Sequence, residues 1–176
     1  MKKTTWGIII IVLMIFVGIF VLRTYNTPLV QVDSRNSTYI IENKPVTLIN
    51  GFAEEEITPG SASKIITRYF GNEALGDLNN DNQEDAAFLL SQDGGGSGTF
   101  YYVAALLYKK DGTQGTNAIF LGDRIAPQAT EIREGKIIVN YADRKPGEPM
   151  SAQPSVGVSK YFKIEGGILV ELKEKN

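Results

Sequence analysis

The sequence contains no cysteine and no histidine. The first absence removes any disulfide framework and any catalytic or lipidated thiol. The second removes the commonest general base near neutral pH, the serine–histidine triad and most zinc sites. Basic clusters are missing as well. Beyond Arg23, 15 basic and 20 acidic residues leave a net charge of −5, with no Lys/Arg run among them. Nucleic acid is therefore not an expected partner, and no basic stripe exists to hold the chain against anionic lipid.

One long apolar run is present, from Trp6 to Leu22. Its seventeen residues meet the lower limit of roughly 17–25 for a helix crossing the bilayer core. Lys2 and Lys3 precede it, so the positive-inside rule puts the N-terminus in the cytoplasm and everything after Arg23 outside. Leu22-Arg23-Thr24-Tyr25-Asn26 offers no small-x-small cleavage site, which favours a retained anchor over a cleaved signal peptide. The expected organisation has three parts. Residues 1–23 are a cytoplasmic tip and a single-pass anchor, with residues 6–22 in the cytoplasmic membrane. Residues 24–36 are a polar linker containing Pro28, and residues 37–176 are an extracytoplasmic domain.

From Ser37 onward, short β-prone runs alternate with turn chemistry. Thr38–Ile41 and Pro45–Ile49 flank Glu42-Asn43-Lys44 as a hairpin, and Asn50-Gly51 ends the second run. Lys64–Phe70 reads as a strand because Ile65, Ile66 and Thr67 are β-branched and two aromatics follow. Gly71-Asn72 reads as a turn. Thr99–Tyr108 is the longest β-like run and is apolar on both faces, so it is the expected central strand. Glu134-Gly135 and Glu165-Gly166-Gly167 mark two later hairpins. Roughly ten strands with tight connections predict a mainly β fold, an antiparallel sheet closed as a barrel or folded as a sandwich, plus the one N-terminal transmembrane helix.

The chemistry-bearing stretch is Asp77-Leu78-Asn79-Asn80-Asp81-Asn82-Gln83-Glu84-Asp85. Oxygen ligands at places 1, 3, 5, 7 and 9 of a calcium loop map to Asp77, Asn79, Asp81, the Gln83 carbonyl and Asp85. The twelfth place is Phe88, which cannot coordinate. Asn82 stands where such loops need a positive φ, a conformation Asn tolerates best after Gly. A structural calcium ion is the expected cofactor, and the competing reading is an Asx-bonded turn without metal.

Other stretches invite functional readings and yield weaker ones. Glu54-Glu55-Glu56 fits a solvated acidic strand edge, because consecutive side chains alternate sides. Asp93-Gly94-Gly95-Gly96-Ser97-Gly98 lacks the Gly-Lys-Ser/Thr ending of a phosphate loop and reads as a hairpin connection. Asp123-Arg124 and Asp143-Arg144 fit loop-anchoring hydrogen bonds, with Arg bridging several acceptors. With Glu148 they are also candidates for a two-carboxylate hydrolytic site.

The nine-residue loop resembles the calcium loops of integrin-type propeller repeats and shares its first half with dockerin loops. Gly76–Asn79, Gly95–Tyr102, Gly122–Pro127 and Val139–Arg144 together resemble a family of small uncharacterised bacterial envelope proteins. That likeness covers about Ser37 to Ile164 and implies one β-domain behind a signal or anchor segment, without an activity. This chain departs from the family at Asn80 and Asn82, where Gly is common. The expectation is a membrane-anchored, extracytoplasmic binding or assembly module with an unknown envelope partner and no catalytic residue assigned. The alternative is an envelope hydrolase acting on polysaccharide or peptidoglycan through Asp123, Asp143 and Glu148.

Overall fold

The computed structural model describes residues 33–173. They form twelve strands: β1 (Thr38–Ile41), β2 (Lys44–Thr47), β3 (Phe52–Glu56), β4 (Lys64–Gly76), β5 (Asp85–Asp93), β6 (Phe100–Lys109), β7 (Gly112–Gly115), β8 (Ile119–Asp123), β9 (Ala126–Arg133), β10 (Lys136–Asp143), β11 (Val156–Glu165) and β12 (Ile168–Leu172). The fold is all-β. The expected transmembrane helix is corrected on this point: the described residues contain no helix, and none long and apolar enough to cross a membrane. Their short β-branched and aromatic runs, punctuated every few residues by Gly and Asn, satisfy strand geometry and never helical periodicity. The run from Trp6 to Leu22, where that helix was expected, lies outside the described residues.

Hydrogen bonding runs β3-β4-β5-β6-β7 in the largest sheet, with β8 beside β7 on the same flank of β6. A second sheet has the order β12-β11-β10-β9, and β1-β2 forms a separate hairpin. No sheet among the described strands closes on itself, so of the two expected forms the sandwich is the nearer. It carries a third, smaller layer.

Period-two alternation along β5 and β6 explains the three layers. Ala86, Phe88 and Leu90 of β5, with Tyr102, Ala104 and Leu106 of β6, pack against Tyr39, Ile41 and Leu48 of the hairpin region. Ala87 and Leu89, with Val103, Ala105 and Leu107, pack against Ile137, Val139, Tyr141, Phe162 and Leu169 of the second sheet. The strand expected to be central, Thr99–Tyr108, is buried on both faces from Tyr102 to Leu107. Each fully buried Leu or Phe contributes roughly 1.5–3 kcal/mol, so two interleaved cores supply much of the drive to fold.

The turns follow from residue type. Glu42-Asn43, Asn50-Gly51, Glu134-Gly135 and Gly166-Gly167 all have positive φ at both positions, the primed turn that matches strand twist. Gly71-Asn72 differs from expectation. Positive φ at both residues produces register shifts against β5 rather than a reversal, and β4 continues through them as one bulged strand. The boundary of the domain also shifts. Ser34 is buried, donating its hydroxyl to Glu73 at 2.7 Å. Residues 33–36, read as linker, belong to the domain.

The three layers meet at Thr116–Ala118, between β7 and β8. Ile40 donates to the Thr116 carbonyl (3.1 Å) and accepts from Ala118 N–H (2.8 Å), a parallel bridge to β1. The Asn117 amide turns the other way. Its Nδ2 donates to the Leu169 carbonyl at 3.0 Å, and its Oδ1 accepts from Leu169 N–H at 2.8 Å. A side chain thus occupies the open edge of β12 as a strand would.

Gly115 makes this junction possible, because a Cβ there would stand 2.2 Å from the Thr38 carbonyl oxygen. Gly115→Ala should cost about 1–3 kcal/mol in urea unfolding. Gly96→Ala, with nothing within 4 Å, should change little. Equal midpoints for the two variants would show that β1 does not sit tightly on β7.

Candidate metal-binding loop and neighbouring sites

The Asp77 loop joins β4 to β5, two strands already held by the sheet. Within it, short polar side chains bond the nearest backbone N–H groups, the usual behaviour of Asn and Asp in turns. Asp77 Oδ1 accepts from Asn79 and Asp81 N–H, both at 3.2 Å, and its Oδ2 accepts from Asn82 N–H at 2.9 Å. Asn79 Oδ1 accepts from Asp81 N–H at 3.0 Å, while Asn79 Nδ2 donates to Asp81 Oδ2 at 3.0 Å. Gln83, expected to offer its carbonyl, donates its N–H to Asp81 Oδ1 at 2.8 Å. Asn80 and Asn82 have φ of 61° and 62°, so the positive φ expected at Asn82 is present and extends to a second Asn.

Asp85 is placed differently from the other expected ligands. It is fully buried, and its two oxygens accept from Leu78 N–H at 2.9 Å and from Tyr108 N–H at 2.8 Å. The carboxylate ties the loop to the far end of β6. The side chains of Asp77, Asn79 and Asp81 come together, whereas Asp85 turns into the sheet. Among the described residues, no group of three or more His, Cys, Asp or Glu side chains is arranged to hold a metal ion. The donor set fits calcium in its oxygen chemistry and, at Asp85, departs from a complete coordination shell.

Burial pushes the Asp85 carboxyl above its ordinary value of 3.8; the Leu78 and Tyr108 N–H groups pull down, and the charges of Asp81 and Asp77 push up again. Asp77 lies below 3.8: the slight desolvation raises it, and the N–H groups of Asn82, Asn80, Asn79 and Asp81 outweigh that.

The hydrolytic candidates are used in holding loop backbone. Asp123 Oδ1 accepts from Thr99 N–H at 2.9 Å, and its carboxylate pairs with Arg124 at 3.0 Å. Asp143 Oδ1 accepts from Arg144 N–H at 2.7 Å, and Glu148 Oε2 accepts from Lys145 N–H at 2.9 Å. Arg144 bridges three carbonyls, Ala152 at 2.7 Å, Arg124 at 3.1 Å and Asp123 at 3.3 Å. Its five donors in a fixed fork suit that task. No family model, curated protein or solved structure matches this chain.

Two surface grooves are lined by other residues. One lies between the splayed strands β2 and β3, lined by Pro45, Val46, Ile49, Phe52, Glu54 and Glu55. Pro45 removes a donor from that edge, and the three consecutive Glu residues keep it wet, so neither strand invites pairing. The other lies beyond the β1–β2 turn, where Glu42 meets Ile65, Gln92, Phe100, Tyr102 and Phe120. Tyr102 donates its hydroxyl to Glu42 Oε1 at 3.0 Å. Burial, then the bond to Glu42 and its charge, raise the Tyr102 pKa well above the ordinary phenol value. Sequence reasoning missed this second groove. Alternation along β6 puts Phe100 and Tyr102 on one face, but nothing local shows that the covering hairpin stops short of Phe100.

The two loop carboxylates should titrate on opposite sides of 3.8 in carbon-detected NMR, Asp85 above and Asp77 below. A raised folded value means that the Asp85 contribution to stability is fully present below 3.8 and lost as pH rises through the folded value. The Asp77 contribution is present above 3.8 and lost as pH falls through its lowered value. Asp85→Asn leaves one acceptor for two buried N–H donors and should cost about 1–3 kcal/mol. A neutral Asp85→Asn, or an Asp85 titrating below Asp77, contradicts the buried clamp.

Proposed function

We propose that this chain is a non-enzymatic binding or assembly module that acts outside the cytoplasm of a bacterium, at the envelope. The observation that carries the reading is the uncovered end of one sheet face, where Phe100 and Phe120 are 37% and 47% exposed next to an otherwise buried core. Contiguous exposed rings on a folded domain are characteristic of recognition surfaces. The carboxylates of the hydrolase reading point the other way, because Asp143 and Glu148 each close their own loop and Asp123 is tied to Thr99 N–H and Arg124. Placement outside the cytoplasm rests on the sequence of the first 23 residues alone.

Calcium at the Asp77 loop belongs to the same reading, as a structural ion held mainly by Asp77, Asn79 and Asp81. Support comes from the repulsion among Asp77, Asp81 and Asp85, which a cation would relieve. With no ligand at the twelfth place, the affinity falls in the extracellular range, with a dissociation constant of roughly 10⁻⁴–10⁻³ M.

Two experiments test these statements. Capture of an envelope partner by the wild-type chain should be lost with Phe100→Ala/Phe120→Ala. Turnover of an envelope polysaccharide that disappears in folded Asp123→Asn or Asp143→Asn would instead establish the hydrolase. For the loop, free calcium at ten times the dissociation constant should add about 1.4 kcal/mol to stability over chelator, and Asp81→Ala should abolish the gain. Identical wild-type midpoints in calcium and chelator leave the Asx-bonded turn as the account of this loop.

A further inference from the structure

Phe100, Tyr102 and Phe120 form a continuous run of rings on the face that the β1–β2 hairpin leaves open. Ring centroids lie 5.5 Å apart for Tyr102–Phe120 and 6.3 Å for Phe100–Phe120. With Ile65, Gln92 and Gly94 they line an open groove of about 380 Å³, and Glu42 stands at its end on the hairpin turn. That volume lies within the roughly 300–1,000 Å³ of ordinary ligand sites.

Three observations narrow what fits there. The Glu42 carboxylate meets one neutral donor, the Tyr102 hydroxyl, and no ion pair among the described residues includes it. Two other rings on this domain carry a cation, Arg35 over Tyr69 at 5.2 Å and Arg68 over Phe52 at 5.7 Å, while exposed Phe70 meets Tyr101 edge-on instead. Phe100 and Phe120 have no such cover among the described residues. Gln92 already donates to Thr67 Oγ1 at 3.2 Å, so the groove has few polar groups left to bond a hydroxyl-rich ligand such as a sugar.

We propose that this groove receives a lysine side chain from a partner protein, with the ammonium on Glu42 and the methylene stem across Phe100 and Phe120. The negative face of an aromatic ring attracts an ammonium, and the stem buries apolar surface on the same rings. A guanidinium fork is best served by both carboxylate oxygens, one of which Tyr102 already engages. An ammonium needs only the other. Because the groove is open, a side chain on a passing strand or loop reaches it without burial of its own backbone. The inference rests on the reading of this chain as a binding module and names the group it binds.

The test is an NMR titration of the full-length, isotopically labelled chain with three probes: N-acetyl-lysine methylamide, N-acetyl-norleucine methylamide and choline. The lysine probe should shift the amides of Phe100, Tyr102 and Phe120 and bind about tenfold more tightly than norleucine, the difference one charge-assisted hydrogen bond makes. Glu42→Gln, which keeps an acceptor for Tyr102, should remove that advantage. Phe120→Ala, at an exposed position, should weaken the lysine probe while leaving the fold intact. Equal binding of lysine and norleucine, or an unaltered Glu42→Gln, overturns the proposal. Tighter binding of choline than of lysine overturns the assignment to a protein side chain. If the lysine probe fails while a partner is still captured through Phe100 and Phe120, this inference falls alone; if capture fails too, the binding-module reading falls with it.

Discussion

Two adjacent strands buried on both faces set the terms for everything else in this domain. β5 and β6 present Ala86, Phe88 and Leu90, with Tyr102, Ala104 and Leu106, to one side, and Ala87 and Leu89, with Val103, Ala105 and Leu107, to the other. A single covering layer would leave one of these faces in water. The second sheet covers one face, and the β1–β2 hairpin covers the other. Because the hairpin has only four residues per strand, it does not reach the end of the face it covers. The exposed rings of Phe100 and Phe120 are a direct consequence of that length mismatch.

Stacking three layers creates edges and corners that need polar closure. Thr116–Ala118 answers this with backbone bonds to Ile40 on one side and the Asn117 amide on Leu169 on the other. Asp85 performs a similar task at the C-terminal end of β6, where one buried carboxylate satisfies two donors from different segments. Removing either side chain would strand a buried N–H, which is costlier than the loss of an ordinary surface bond.

The same economy governs the charged loops. Asp143 and Glu148 accept from backbone N–H groups of their own loop, Asp123 accepts from Thr99 across the sheet end, and Arg144 joins three carbonyls. Acidic and basic side chains that look chemically active in sequence are thus committed to holding irregular backbone. Glu42 stands apart, since it contacts a tyrosine hydroxyl and borders open aromatic surface.

Local chemistry was legible from the residues alone wherever it repeats at short range. Alternation marked Thr99–Tyr108 as a strand buried on both sides, paired turn residues marked the hairpins at Glu42-Asn43 and Glu134-Gly135, and Asn82 announced its positive φ. The ligand rhythm from Asp77 to Asp85 was equally visible, because side-chain oxygens at alternate places bond the nearest N–H groups in any tight polar turn. What lay beyond the sequence depends on partners distant along the chain. Asp85 shares the spacing of a ligand, yet its direction is set by Tyr108, 23 residues away. Gly71-Asn72 has the composition of a reversal, yet pairing with β5 on both sides of it carries β4 straight through as a bulge. The groove at Phe100 and Phe120 exists only because a hairpin from the start of the domain ends where it does. Short-range bonding is written in neighbouring residues, whereas which face is covered, and how far, is decided when separate strands compete for the same apolar surface.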